Sequence, residues 1–339
     1  MELYLDSADI KEIEAAFKLG FLTGLTTTPT FMHREGITDV DATILKLADM
    51  VPILQIEALG KTADEIVAEA KRQDAMGLDR DKTVYKIPIS MEGVKACKRL
   101  VDEGYMVNIH LVYTLQQAYM AMAAGATYVC PLVGRLQDQG HDALALVEQC
   151  VDAVNYYGYN TKIMFSSVRN VEHVRNAINI GVHTVTVPLK IMQQLTENNF
   201  TTVGTNQFFE HTALMTKTVG EVIRKDNPTI TADKKVIDGL VKMSTGGFGA
   251  VTIVNDDNEA IGFFTDGDLR RNINKEGEAF LQKPLSSLPL SKPRSVATSD
   301  LLVEASNKFK AHEIDQLVVT SNDKVVGMID VQDLMKLNG

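Results

Sequence analysis

The stretch TVYKIPIS, Thr83 to Ser90, sets an ammonium inside a run that otherwise reads as buried strand. Val84, Tyr85, Ile87 and Ile89 are the apolar, β-rich part of it, and Lys86 stands between them with Pro88 two residues on. A strand apolar on both faces belongs to a parallel sheet covered by helices, so the flanking sequence should alternate strand and helix.

Working outward, it does. Strand-like runs are LYLD ending at Asp6, LTGLTTT ending at Thr28, ILQIEA around Glu57, TVYKIPI around Lys86, VNIHLV around His110, TYVCPLV ending at Val133, KIMFSS ending at Ser167 and HTVTVP ending at Pro188. Between them lie segments such as ADEIVAEAKRQDAMG and GHDALALVEQCVDAVNYYG, with apolar residues at three- and four-residue steps and Gly as a stop signal. Eight such units in about 200 residues predict an α/β fold, a closed (β/α)8 TIM barrel. A doubly wound open sheet normally carries a Gly-rich phosphate loop after its first strand, and Asp6-Ser7-Ala8-Asp9 is not one.

The 339 residues exceed one such barrel, and 45% apolar with 23% charged residues is an ordinary globular composition. A net charge of -10 and a pI near 5.2 argue against a nucleic-acid partner, which would need clustered Lys and Arg. The opening MELYLDSADI carries acid where a targeting peptide carries base, and no apolar run reaches the roughly 18 residues of a bilayer span. These features predict a cytoplasmic protein without a membrane partner. Cys97, Cys130 and Cys150 are too few and scattered for a disulfide framework or a paired-ligand zinc site, and are expected to be reduced thiols.

After a further helix at about 201–215 the chain changes character. From Thr218 it holds two similar units, IDGLVKM with AVTIVNDDNEAIGFFTDGDLRR, and VEASNKFKAHEIDQLVVTSNDKVVGMIDVQDLMK, joined by LSSLPLSKPRS at Leu285 to Ser295. Each reads as helix, strand, Asp/Asn turn, strand and helix, the pattern of a tandem module whose halves pack together. The expected domains are 1–216 and 217–339, the second divided into about 217–280 and 281–339.

In a (β/α)8 barrel the C-terminal strand ends share one face, which holds the active site. Asp6, Glu57 and Lys86 fall near those ends on strands one, three and four. Burial disfavours the charged form of a lysine, so such a side chain can become a nucleophile toward a carbonyl, with carboxylates to move protons for imine formation. The competing explanation is a structural ion pair across the barrel.

These motifs carry a resemblance. MELYLDSAD, GLTTTPT, KIPIS followed by EGVKA, AGATYVCPLVGR and SSVRN, in order over residues 1 to about 215, resemble the small transaldolases and fructose-6-phosphate aldolases. The resemblance implies metal-free class I aldolase chemistry on sugar phosphates, with Lys86 as Schiff-base lysine and Glu57 and Asp6 handling protons around a catalytic water. It implies a phosphate site of Arg135, Ser167 and Arg169, where two guanidinium groups and a hydroxyl suit a dianion; the alternative for the arginines is surface ion pairing. It also implies a homo-oligomer.

Three positions in the substrate region depart from that pattern: Thr28 stands for an Asn, His110 for a Thr beside Asn108, and Leu132 for an aromatic. His110 is either a new acid-base group or a larger hydrogen-bonding filler. The C-terminal repeat resembles an α+β tandem CBS (Bateman) module, especially those fused to arabinose-5-phosphate isomerases, through FTDGDLRR at Phe264 to Arg271. That implies a regulatory adenosine nucleotide or sugar nucleotide contacted by Thr265 and Asp268, and by Asp330 and Asp333 in the second copy. Thr265-x-x-Asp268 is equally a helix capping box.

The resulting expectation is a Schiff-base aldolase or transaldolase joining a ketose or small carbonyl donor to an aldehyde phosphate such as glyceraldehyde 3-phosphate. A narrower version makes arabinose 5-phosphate for an envelope sugar pathway. A rival is a non-catalytic sugar-phosphate and nucleotide sensor, and a third version keeps catalysis but makes the CBS pair an assembly device.

Overall fold

The computed structural model describes residues 1–224, 227–290 and 292–336; Ser291, within the connector expected at Leu285 to Ser295, lies outside them. The chain divides into two compact units, Met1–Glu197 and Asn198–Gly339.

The first unit is a closed parallel barrel in the order of the chain. Its strands are β1 (Glu2–Asp6), β2 (Gly24–Thr26), β3 (Leu54–Glu57), β4 (Thr83–Pro88), β5 (Met106–Val112), β6 (Tyr128–Pro131), β7 (Lys162–Phe165) and β8 (Thr184–Val187). All eight match the strand-like runs, with differences at their ends. The second run stops at Thr26 because Thr28 turns out to cap the helix Pro29–Arg34, its hydroxyl accepting from the Phe31 N–H. The sixth stops at Pro131 because Val133 already begins the helix Val133–Asp138.

Alternation on each strand sorts the core into two layers. Residues such as Leu5, Ile56, Ile87, Ile109, Val129 and Val185 pack outward under the helices. Tyr4, Val84, Tyr128, Cys130 and Met164 fill the barrel interior, where the Tyr4 and Tyr128 hydroxyls meet at 3.0 Å. The helix Ala63–Asp74 opens with a Thr62/Glu65 capping box, and Ala143–Tyr157 ends on Gly158 in the left-handed conformation, φ 66°. Each such cap contributes about 1 kcal/mol and fixes where a loop leaves the barrel.

In the second unit the helix expected at about 201–215 runs from Asn199 to Thr216. Two three-stranded sheets follow: β9 (Thr229–Thr231), β10 (Ala250–Val254) and β11 (Ala260–Thr265), then β12 (Ser295–Ala297), β13 (Gln316–Ser321) and β14 (Lys324–Asp330). In each sheet a short strand pairs parallel to the middle one and the hairpin partner pairs antiparallel. The repeat is therefore real, with two separate apolar cores around Val251, Ile253 and Phe280, and around Leu317, Val319 and Phe309. Among the described residues no helix is long and apolar enough to cross a membrane.

Candidate active site

Strand register places Glu57 directly beside Lys86, and His110 beside Pro88, two residues further along than Lys86. All three side chains point inward at the C-terminal end of the barrel, into a cavity of about 730 Å³. The Lys86 side chain is 5% exposed; its Nζ lies 3.1 Å from Glu57 Oε1 and donates to the Thr27 carbonyl at 2.9 Å. Glu57 Oε2 lies 2.9 Å from His110 Nε2. Both contacts sit off the hydrogen-bond axis, so among the described residues the buried Glu57 oxygens and His110 Nε2 have no aligned partner. A carboxylate held close to charge but not locked by directed bonds is free to change partners.

The ammonium inside TVYKIPIS is thus explained by its neighbours and its outlook. Burial pushes the Glu57 carboxyl up, but Lys86 and His110 together outweigh it and hold the group below its ordinary value. Asp6 shows the opposite balance: burial raises it, and neither the charge of Lys86 nor the Thr26 hydroxyl, donating at 2.8 Å, offsets that. Burial lowers His110 despite the nearby Glu57, favouring neutral imidazole. Two carboxyls pushed in opposite directions beside one lysine are suited to different proton-transfer roles. Cys130 also lines the cavity, but burial pushes its thiol up to about 11, which keeps it a poor nucleophile.

Leu111 adopts φ 57° where the β5–β6 register shifts between Ile109 and Val112, a bulge next to His110, which itself points inward by regular alternation from Asn108. Ser167 also has a left-handed φ, 60°, at the end of β7. Around it lie Arg135, whose Nη1 is 3.4 Å from the Tyr113 hydroxyl, and Arg169, which pairs with Asp138 at 2.8 Å. The backbone N–H of Arg169 donates to Nδ1 of buried His173 at 3.2 Å. Gly134 lets the helix Val133–Asp138 meet the segment Ser167–Arg169, because a Cβ there would lie 2.2 Å from the Ser167 carbonyl oxygen and 2.9 Å from the Arg169 side chain.

Of the residues singled out in the sequence, Asp6, Thr28, Glu57, Lys86, His110, Leu132, Arg135, Ser167 and Arg169 all line this one cavity. Asn108 does not. It is fully buried one layer below His110, donating to Gln55 Oε1 at 2.6 Å and facing Met164 Sδ at 3.7 Å, because alternate residues share a face but not a depth. Lining residues that sequence reasoning passed over include Thr26, Thr186, Ser166 and Arg34. Thr26 and Thr186 could have been found from the inward alternation of their strands; Arg34 adds a third guanidinium at the rim.

In the second unit Thr265 and Asp268 form a reciprocal capping box, with Asp268 Oδ1 taking Arg271 at 2.6 Å. Asp330 and Asp333 cap the helix Val331–Met335 in the same way. Asp333 differs in its second partner, accepting from Arg224 Nε and Nη2 at 2.8 and 2.7 Å, while that guanidinium lies 4.5 Å from the Phe248 ring centre.

Comparison with known proteins agrees with this geometry. The family description "Transaldolase/Fructose-6-phosphate aldolase" matches residues 3–242, and "CBS domain" matches residues 219–275 and 285–338. A protein of Streptococcus pyogenes serotype M2 called "Probable transaldolase" is 37% identical over 219 residues, covering 64% of this chain and all of that protein. Its counterpart in Streptococcus equi subsp. zooepidemicus is 36% identical with the same coverage. The solved CBS domain of a CBS-domain-containing membrane protein from Sphaerobacter thermophilus aligns with 41% of this chain and 98% of its own at 16% identity, TM-score 0.35. With an eight-stranded barrel in place and more than half its length matched, the chain is an enzyme that belongs to the transaldolase/fructose-6-phosphate aldolase family, whose chemistry is a metal-free covalent Schiff base, and it carries a tandem pair of CBS domains.

Proposed function

We propose that Lys86 forms a Schiff base with a ketose or small carbonyl donor, and that the enzyme makes or breaks a carbon–carbon bond to an aldehyde phosphate such as glyceraldehyde 3-phosphate. The observation that carries this reading is the buried Lys86 amine, 3.1 Å from Glu57 at the floor of a cavity whose rim bears Arg135, Ser167 and Arg169. In the cleavage direction Asp6 takes the proton of the hydroxyl on the carbon that departs as aldehyde. The electrons of the broken bond move into the iminium and leave an enamine on Lys86. A carboxyl raised by burial suits that exchange because it also returns the proton readily. The two guanidinium groups and the Ser167 hydroxyl hold the phosphate.

Thr28 lines the cavity where the family pattern has an amide, so the donor loses one two-ended hydrogen-bonding group and keeps a hydroxyl. The CBS pair, centred on Thr265 and Asp268, binds an adenosine nucleotide or sugar nucleotide and adjusts turnover. The enzyme self-associates, a reading supported by the exposed Phe200, Phe208 and Phe209 that the helix Asn199–Thr216 offers to a second copy.

Borohydride trapping tests the reading. The protein is incubated with ketose phosphates, dihydroxyacetone or glycolaldehyde, reduced, and digested for mass spectrometry. The expected result is a covalent mass on Lys86 with at least one donor; folded protein that yields none with any donor overturns it.

A further inference from the structure

We propose that His110 is a catalytic acid-base residue for imine formation, carrying protons between the Lys86 nitrogen and the carbonyl oxygen of the donor through the Lys86–Glu57–His110 chain. This inference rests on the Schiff-base reading and deepens it.

Three observations support it. The three groups lie in contact, with Nζ to Oε1 at 3.1 Å and Oε2 to Nε2 at 2.9 Å, so one carboxylate faces the lysine and the imidazole with separate oxygens, and a small reorientation of it aligns either contact for proton transfer. Nε2 faces Glu57, and the ring lines the cavity in which a donor would sit. A ring with a carboxylate 2.9 Å from one nitrogen, lining a cavity that can hold a donor, is placed to exchange protons with both. The third is the register, which sets His110 beside Pro88 on the same inward face of β5 as Asn108 and two residues further along than Lys86.

The groups around His110 are Glu57 from β3, Lys86 from β4 and Arg135 from the helix after β6. Burial and the two cations favour neutral imidazole at rest, the form able to accept a proton.

The step balances without an outside reagent. The Lys86 ammonium gives one proton through Glu57 to His110, and the freed amine attacks the carbonyl. The C–N bond forms from the nitrogen lone pair, the carbonyl π pair moves to oxygen, and His110 protonates that oxygen. A second proton travels the same way from nitrogen to the hydroxyl, which leaves as water while the nitrogen lone pair closes the C=N bond. Three protons on the ammonium become one on the iminium and two on water, with the positive charge kept on nitrogen.

The test follows the rate at which a trappable adduct with dihydroxyacetone or glycolaldehyde appears on Lys86 across about pH 5 to 9, the window in which imidazole titrates. Wild type is compared with His110→Gln, which fills the site and can still hydrogen-bond to Glu57, and His110→Ala, whose folding is checked by its melting curve. Both variants should slow adduct formation about a hundred- to a thousand-fold and flatten its pH dependence. Added imidazole should restore part of the rate in His110→Ala alone. A His110→Gln protein within about three-fold of wild type, with its pH profile intact, overturns the proposal and leaves His110 a positioning group. Wild type that forms adduct while imidazole fails to rescue His110→Ala also counts against it. Wild type that forms no adduct with any donor overturns the Schiff-base reading itself.

Discussion

Glu57 in the barrel and Asp333 in the second unit are both carboxylates buried beside a cation, yet the fold treats them differently. Asp333 accepts two aligned bonds from Arg224 on one oxygen, while the other caps its own helix by accepting from the Asp330 N–H at 2.9 Å. Glu57 sits between Lys86 and His110 with neither oxygen aligned to a donor, and it opens on a cavity. A carboxylate whose lone pairs are consumed by the fold contributes stability; one kept near charge without directed bonds is left for substrate. The same contrast holds for their cations, since Arg224 also lies against Phe248, whereas Lys86 has one carbonyl and one off-axis carboxylate.

The largest effect that follows is at Lys86. Lys86→Ala should abolish trapping and lower kcat/KM by on the order of ten-thousand-fold or more, since the covalent step itself is lost. Residual turnover near wild type would erase the distinction drawn between the two carboxylates. At the rim the loss should be smaller. Arg135→Ala and Arg169→Ala should each cost about ten- to a hundred-fold in kcat/KM for a phosphorylated aldehyde and little for its unphosphorylated counterpart, the scale of one charge-assisted contact. Gly134→Ala should reproduce that pattern without replacing either arginine, because its Cβ would clash with the Ser167 carbonyl oxygen and the Arg169 side chain and displace both. An equal loss for both aldehydes would remove the phosphate site from this rim.

These residues were not equally legible beforehand. Eight strands could be read because runs buried on both faces leave a continuous apolar signal between Gly stops. The three-residue strands β9 and β12 could not, being too short to show a period. Lys86, Glu57 and Asp6 stood out as charges inside strand-like sequence. The Glu57–His110 contact did not, because it depends on the stagger of β3, β4 and β5, which sets Glu57 level with Lys86 and His110 two residues beyond, and no residue pattern announces a register. Asn108 marks the same limit from the other side: its face was readable and its depth was not. In the second unit, the capping boxes at Thr265 and Asp330 obey a local rule, whereas Arg224 reaches Asp333 across 109 positions and leaves no local trace.

At Asp333 the comparison becomes a stability measurement. Asp333→Ala strands a half-buried guanidinium and removes a helix cap, so the second unit should lose about 1 to 3 kcal/mol, discounted because Arg224 remains partly exposed. Asp268→Ala removes a cap whose arginine is solvent-facing, and should cost only about 1 kcal/mol. Urea unfolding of the full chain, followed by a probe in the second unit, ranks the two. Equal losses would mean that Arg224 adds nothing beyond the cap.

The smallest effect separates Glu57 from Asp6. Burial raises Asp6 above its unfolded value, so the native state holds that proton more tightly than the unfolded chain does. Stability must then fall as pH climbs from the ordinary carboxylate range through the raised value. Asp6→Asn keeps an acceptor for Thr26 and cannot ionise, so it should melt about 2 to 4 °C above wild type at neutral pH and level with it in acid, while losing activity. Glu57 carries the opposite sign: held below its ordinary value, it adds stability above the unfolded value that is lost as pH falls through the folded one. Glu57→Gln should therefore melt lower than wild type at neutral pH, because Lys86 loses its charged partner, and the gap should close in acid. If both variants shift in the same direction at neutral pH, the two carboxyls do not hold the opposed balances that divide their roles in proton transfer.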